Sequence, residues 1–261
     1  MGIVNVTPDS FSDGGRLADA RTAIDHALKL QEEGADILDV GGESTRPGAA
    51  EVPAEEEIRR VLPVVEALAH QGCVVSVDTK KPEVMRAALA GGAAMVNDVM
   101  ALRAPGALEA VAATGAAVCL MHMRGDPQTM QQAPAYADVV GEVEQFLVDR
   151  AEACIAAGIG RERLVIDPGF GFGKALAHNL ALLAHLDRLA ASGLPVLAGL
   201  SRKSMLGALT GRPVEQREFA GVAAHLAAVA RGARLLRVHN VAAMRDALAV
   251  WNAVEEQRDG T

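Results

Sequence analysis

Polar residues in this chain follow directly after short apolar runs. Asp78, Asn97 and Asp167 are short acceptors or amides at the ends of three such runs. A carboxylate that meets two parallel N–H groups makes a strong and directional contact, so these residues together could bind a flat heterocycle along its N–H edge. Taken singly, each Asp or Asn is more typical of a helix cap or a turn. Their recurrence after successive runs favours a shared site.

Basic residues in the same kind of segment indicate a local anion site in an acidic molecule. The 261 residues carry a formal net charge of −8, which argues against a general nucleic-acid or anionic-membrane partner. Arg237 and His239 alternate and should therefore point to the same side, and residues 201–204 lie where the first N–H groups of a helix could bind an anion. A lone basic side chain is more often a solvated surface charge, but five fall in these segments: Arg46, Arg202, Lys203, Arg237 and His239.

Aromatic and thioether side chains in the same segments suggest contact with a ring. Three of the five phenylalanines, Phe11, Phe170 and Phe172, lie in glycine-bearing stretches, where they could stack on a ligand or simply anchor a loop. Met121 could pack on a ligand face, whereas we expect His122 to bond the backbone rather than act as a base.

Several other chemistries are disfavoured. There is no His/Cys spacing for zinc, although Asn5 could hold Mg²⁺ together with ligand phosphates, because this ion usually keeps waters and few protein ligands. The segment 169–174 is not a phosphate-binding P-loop, since Ala175 stands where Ser or Thr would bind magnesium. No nucleophile elbow is present.

Eight short apolar runs alternate with longer Ala-rich stretches that carry charges at helical spacing. This alternation is typical of repeated βαβ units. Eight is the number of strands that closes a parallel barrel, whose active site lies at the carboxyl ends of the strands. The sequence therefore predicts an α/β fold, a single (β/α)₈ TIM barrel over residues 1–261, with an open doubly wound sheet as the alternative. The predicted strands span residues 2–6, 36–40, 74–78, 94–97, 117–121, 164–167, 196–199 and 235–238.

The compartment is predicted to be cytoplasmic. Cys73, Cys119 and Cys154 are odd in number and far apart, as expected of reduced, buried thiols. No apolar run approaches the roughly 20 residues that span a bilayer, and the amino end lacks the zones of a secretory signal. The chain opens on its first predicted strand, so we expect any segment closing the barrel floor to be short or missing.

Five motifs together closely resemble the dihydropteroate synthase family of the folate pathway, over nearly the whole chain. They are NVTPDSFSDGG at residues 5–15, GESTRPG at 42–48, DPGFGFGK at 167–174, SRKS at 201–204 and RVH at 237–239. The resemblance implies a barrel enzyme that condenses 6-hydroxymethyl-7,8-dihydropterin diphosphate with 4-aminobenzoate, giving 7,8-dihydropteroate and diphosphate. It also implies Mg²⁺, a homodimer formed through outer helices, and competition by sulfonamides.

The same resemblance implies roles for individual residues. The pterin site would comprise Asp78, Asn97, Met121, Asp167 and Lys203. The aminobenzoate pocket would comprise Phe11, Thr45, Arg46, Pro47, Phe172 and Ser204. Diphosphate would meet Asn5, Arg237 and His239, with Asn5 as the metal ligand. The residues expected to act in catalysis are Asp13, Arg46, Lys203, Arg237 and His239. In this family the C–O bond is described as breaking first, which leaves a cation at the pterin methylene.

Two rival functions share parts of this pattern. A pterin-binding methyltransferase that presents methyltetrahydrofolate to a corrinoid protein resembles the barrel but does not require Arg46, Phe172 or Ser204. An inert pterin-binding or scaffold protein should have lost Asn5, Lys203 or His239, which this chain retains. One departure from many relatives is Asn240, where they have Asp; this change could weaken the orientation of His239.

Overall fold

Eight parallel strands alternate with helices in the computed structural model, which describes residues 1–6, 16–44, 50–125 and 134–259. The strands are short, between three and five residues each. The strands are β1 (Gly2–Asn5), β2 (Leu38–Gly41), β3 (Val75–Asp78), β4 (Met95–Asp98), β5 (Ala117–Met121), β6 (Leu164–Asp167), β7 (Val196–Ala198) and β8 (Ala233–Leu236).

The sheet closes on itself. Strands pair in sequence order from β1 to β8, and the last strand returns to the first just beyond its carboxyl end. There the N–H of Ile3 donates to the carbonyl of Val238 at 3.0 Å, and the N–H of Val238 donates to the carbonyl of Met1 at 3.0 Å. The predicted (β/α)₈ barrel is therefore confirmed, and the open doubly wound sheet is excluded.

The helices form the outer layer of the barrel. Helix α2 illustrates their origin: Glu55 and Glu56 lie in its first turn, where negative charge is favourable, and Val61, Val65 and Leu68 form a stripe buried against the sheet. The described helices are α1 (Arg16–Glu32), α2 (Ala54–His70), α3 (Pro82–Ala90), α4 (Ala107–Ala112), α5 (Val139–Ala156), α6 (Leu176–Ala184), α7 (Leu186–Ala190), α8 (Ser204–Thr210), α9 (Glu218–Val229) and α10 (Val241–Asp259).

Two apolar layers lie on the two faces of the strands. The larger layer fills the space between sheet and helices. The smaller one contains Met95, Cys119, Val165 and Leu197 from four successive strands. Because side chains alternate across a strand, this second cluster fills the barrel interior below the carboxyl ends of the strands. The polar groups at the carboxyl ends therefore lie directly above an apolar layer that excludes water.

The three cysteines are free and buried, as predicted. Of the helices described above, none has the length and apolar character that crossing a bilayer would need. All eight strand predictions hold to within two residues at each end, and β8, predicted over residues 235–238, runs from Ala233 to Leu236. Arg237 consequently lies just past the strand rather than within it, and His239 follows it.

Candidate active site

The strand register aligns three of the predicted site residues in one row. Asn5 on β1 pairs with Gly41 on β2, Gly41 pairs with Asp78 on β3, and Asp78 pairs with Asn97 on β4. All four positions lie at the carboxyl ends of their strands, where barrel enzymes hold their ligands. Gly41 leaves space in this row, since it has no side chain between Asn5 and Asp78.

Arg237 joins the two sides of the barrel mouth through two carboxylates. Its Nε donates to Oδ2 of Asp39 at 2.6 Å, and its Nη2 donates to Oδ2 of Asp78 at 2.7 Å. The Nδ2 of Asn97 donates to the same Asp39 oxygen at 3.1 Å. Asp39 is completely buried, so it fixes Arg237 and Asn97 from beneath.

Sequence reasoning missed Asp39. A charged residue inside the apolar run that forms β2 was a usable signal, because carboxylates are almost never fully buried without partners. The other oxygen of this side chain, Oδ1, is buried without a hydrogen-bond partner in the part of the chain that the structure describes. This oxygen could therefore accept one more hydrogen bond in the barrel interior.

Asp167 closes the site from the opposite wall. It is buried at the end of β6, and its Oδ1 accepts a hydrogen bond from the N–H of Gly169 at 2.7 Å. Gly169 has a positive φ of +67°, and a Cβ there would overlap the carbonyl oxygen of His122. Only glycine allows the chain to turn this tightly behind Asp167.

Lys203 faces Asp167 and the ring of Phe172. Its Nζ lies 4.2 Å from the centroid of that ring, within cation–π range. Burial lowers the pKa of Lys203 to about 8, and the Asp167 carboxylate partly offsets this effect. Burial raises the pKa of Asp167. The hydrogen bond from the Gly169 N–H and the charge of Lys203 both lower it and so partly offset this rise. The two charges are thus held in a dry site that favours a ligand able to bond both.

An apolar surface lies beside this pair. Met121, Val99 and Met123 form a buried cluster, and Phe172 packs against it. Phe170 is almost completely buried in the main core, so it anchors its loop and is not available for stacking on a ligand. Of the two phenylalanines in the loop after β6, Phe172 is the one that faces the site.

His239 and Ser204 stand at the rim. The Nδ1 of His239 lies 2.9 Å from Oγ of Ser201, and Ser204 is exposed as the first residue of α8. Arg202 is also exposed and has a positive φ of 60°. The neighbouring Asn240 accepts the N–H of Ala243 at 3.0 Å and so caps α10.

Part of the predicted site lies outside the described residues. This applies to five residues from the segments after β1 and β2: Phe11, Asp13, Thr45, Arg46 and Pro47.

His122 has a side-chain partner that the sequence did not suggest. Its Nδ1 lies 2.9 Å from Nζ of Lys174, and burial together with the Lys174 charge lowers the pKa of His122 to about 3. The ring is therefore neutral at physiological pH, and Nδ1 acts as the acceptor. Sequence reasoning gave Lys174 no role.

Known proteins resemble this chain in sequence and in fold. The sequence model of the family "Pterin binding enzyme" matches residues 1–239. The dihydropteroate synthase of Escherichia coli is 51% identical over 99% of this chain and 93% of its own length. The Xanthomonas albilineans dihydropteroate synthase, solved with 4-aminobenzoic acid, superposes with a TM-score of 0.93 at 63% identity, covering 98% of this chain and 92% of that one. The Yersinia pestis enzyme, solved with a sulfonamide drug, gives a TM-score of 0.93 at 49% identity, covering 98% and 94%. This chain belongs to the dihydropteroate synthase family of pterin-binding enzymes.

Proposed function

We propose that this chain condenses 6-hydroxymethyl-7,8-dihydropterin diphosphate with 4-aminobenzoate, releasing diphosphate and forming 7,8-dihydropteroate. The observation that carries this proposal is the buried Asp167 together with the half-buried Lys203 at the carboxyl ends of the strands, beside the Phe172 ring. Such a pair offers one acceptor edge and one donor to a flat heterocycle in a site of low dielectric, where both bonds are strong.

The pterin would lie in the barrel mouth. Asp167 would accept from the amino group and ring N–H, which form two parallel donors, and Lys203 would donate to ring acceptors. Met121 would pack on the ring face, where a thioether fits an irregular apolar surface. Asp78 and Asn97 would complete the polar edge. Burial raises the pKa of Asp78 to about 7, although the Arg237 guanidinium counteracts this effect. Its Oδ2 already accepts a hydrogen bond from Arg237.

Diphosphate would meet Arg237 and His239 at the rim. An arginine offers a planar set of donors that suits phosphate oxygens, and Asp39 would keep the guanidinium oriented when Asp78 turns to the pterin. Mg²⁺ fits this donor set if the substrate supplies most of its oxygens, with the amide oxygen of Asn5 as the protein ligand. Across the described residues, no group of three or more His, Cys, Asp or Glu side chains could hold a metal alone. When bound, the ion would neutralise charge on the diphosphate.

The aminobenzoate would bind toward the outer rim, against Phe172 and Ser204. Phe11, Thr45, Arg46 and Pro47 would complete this pocket from the segments after β1 and β2, and Arg46 would bring positive charge toward the benzoate. Sulfonamides share the arylamine of 4-aminobenzoate, so we expect them to compete with it. Unchanged turnover at high sulfonamide concentration would contradict this pocket.

The reaction then needs charge stabilisation rather than a strong base. The C–O bond to the pterin methylene breaks with its electron pair leaving on diphosphate, whose negative charge Arg237 and His239 would stabilise. The remaining methylene cation would be stabilised by the carboxylates of Asp167 and Asp13. The arylamine nitrogen donates its lone pair to the methylene carbon and forms the new C–N bond. The resulting ammonium is acidic and releases its proton to water or to the departing diphosphate.

The proposed assembly is a homodimer of single-domain barrels in the cytoplasm, without a nucleic-acid or membrane partner. Phe219 on α9 is 86% exposed, and Val250 and Val254 on the adjacent α10 are 67% and 60% exposed. Exposed large apolar side chains on neighbouring helices are typical of a protein interface. The free, buried cysteines suit a reducing compartment.

A diphosphate-release assay tests this function. The wild type is expected to release diphosphate from the pterin substrate only when 4-aminobenzoate is present. Lys203→Ala should lower kcat/KM by roughly 10²- to 10³-fold, as expected for the loss of one charged contact in a dry site. Lys29→Ala is the matched control, since Lys29 lies on α1 with 72% of its side chain exposed. Pterin binding without diphosphate release would favour the methyltransferase or the inert scaffold instead.

A further inference from the structure

Lys174 is a buried lysine to which the proposed reaction assigns no role. It ends the glycine-rich segment after β6, and only 3% of it is exposed. A lysine is almost never buried to this extent unless its amino group has partners. Its position therefore requires an explanation within the protein itself.

The partners of Lys174 are acceptors on two neighbouring loops. Its Nζ lies 3.0 Å from the carbonyl oxygen of Gly169 and 3.0 Å from that of Phe172, both in its own segment. It also lies 2.9 Å from Nδ1 of His122 and 3.3 Å from the carbonyl oxygen of that residue, after β5. Three N–H groups thus meet four acceptors, and they tie the loop after β6 to the end of β5.

The two carbonyls that Lys174 holds belong to the residues that shape the site. The N–H of Gly169 donates to Asp167 at 2.7 Å, so a shift of Gly169 moves the carboxylate that faces the pterin. The ring of Phe172 stacks under Nζ of Lys203, so a shift of its backbone moves the boundary between the two substrate pockets. A displacement of about 1 Å at such residues can cost on the order of 100-fold in rate.

We infer that Lys174 is a positioning residue: its buried amino group holds the carbonyls of Gly169 and Phe172 and thereby fixes Asp167 and Phe172 for the two substrates. Burial lowers the pKa of Lys174 to about 7, and the Asp167 carboxylate counteracts this effect. When protonated, Lys174 in turn favours the ionised form of Asp167.

Other contacts hold the far side of the same loop, so a Lys174 variant is expected to fold. Asn179 on α6 accepts the N–H of Gly171 at 2.7 Å and donates to the carbonyl of Lys174 at 3.1 Å. The hydroxyl of Tyr136 donates to the carbonyl of Gly173 at 2.9 Å. These bonds involve the backbone of residues 171–174 and survive replacement of the lysine side chain.

The test compares Lys174→Met with Lys174→Gln, and its kinetic part rests on the proposed function. Met has a similar length and no donor, so kcat/KM for the pterin substrate should fall roughly 10- to 100-fold, with a raised KM for 4-aminobenzoate. Gln retains two N–H donors and should lose less. Calorimetric titration with 6-hydroxymethylpterin gives a readout without turnover, and its Kd should rise for Lys174→Met.

Leu182→Ala provides the control for a loss of stability alone. Leu182 is buried on α6, so this variant should lower the melting temperature while leaving KM and the pterin Kd near wild type. Wild-type values of KM and Kd in a folded Lys174→Met would overturn the inference, as would failure of both lysine variants to fold. If the wild type released no diphosphate, the proposed function would fail, and the pterin titration would still decide the role of Lys174.

Discussion

At the residue scale, the site depends on charges that compensate one another in a dry environment. Arg237 contacts two carboxylates, and one of them, Asp39, is completely buried. Removing one partner of a buried ionic group leaves the others uncompensated, which costs more than the pair itself contributes. Arg237 therefore supports the fold as well as the proposed binding of diphosphate.

Replacing Arg237 with Met is expected to lower the free energy of unfolding by about 3 to 5 kcal/mol at neutral pH. Urea denaturation of the ligand-free protein measures this loss. Arg245→Met is the control, because Arg245 and Asp36 are 3.9 Å apart and mostly exposed, and such surface pairs contribute about 0 to 1 kcal/mol. Equal losses for the two variants would show that the Asp39–Arg237–Asp78 contacts do not stabilise the barrel.

The residues that sequence reasoning found and missed differ in a simple physical way. Asp78, Asn97 and Asp167 stand at strand ends, and strand ends follow from local apolar runs. Asp39 and Lys174 matter through partners that lie 198 and 52 residues away along the chain. Such contacts depend on side-chain directions across the barrel, which periodicity does not encode.

At the element scale, α9 supports the segment that carries Ser201 and Lys203. His225 on this helix is buried, its Nδ1 lies 2.8 Å from the carbonyl of Gly221, and its Nε2 accepts the N–H of Leu200 at 3.2 Å. The ring must be neutral to accept this bond. Burial lowers the pKa of His225 to about 4, below its ordinary value of 6.5.

This lowered pKa makes stability depend on pH. Between pH 6.5 and about 4 the unfolded chain binds a proton at His225 that the folded chain does not, so stability falls as the pH falls. The shift corresponds to a loss of about 3 kcal/mol across that range. Urea denaturation at several pH values should show a shallower decline for His225→Gln than for the wild type.

His185→Gln serves as the control for this pH dependence. His185 is exposed, so its replacement should leave the wild-type decline unchanged. Parallel curves for His225→Gln and the wild type would mean that His225 does not remain neutral in the folded protein over this range.

Element boundaries show why the fold was more predictable than its details. Eight apolar runs predicted eight strands because parallel strands covered by helices need apolar residues on both faces. The last strand ended two residues early, at Leu236, which left Arg237 and His239 on a loop. Val238 still bonds to Met1 and to Ile3 of β1, so where β8 ends depends on its contacts with β7 and β1 rather than on its own apolar pattern.

At the scale of the whole molecule, the proposed dimer makes a prediction for the surface of α9. Phe219→Asp would place a charge in an apolar interface, so the variant is expected to sediment as a monomer where the wild type sediments as a dimer. Val74→Asp is the control: Val74 is 48% exposed just before β3, on a different part of the barrel. Analytical ultracentrifugation distinguishes the two species. Identical sedimentation of Phe219→Asp and wild type would contradict an interface at this surface.

The account depends on residues from eight strands meeting around one ligand in the barrel mouth. A crystal structure of the protein with 6-hydroxymethylpterin tests this most directly. We expect the N–H edge of the ring within hydrogen-bond distance of the Asp167 carboxylate, with Met121 against its face and Lys203 on its acceptor side. A pterin bound elsewhere, with Asp167 free of it, would contradict the account.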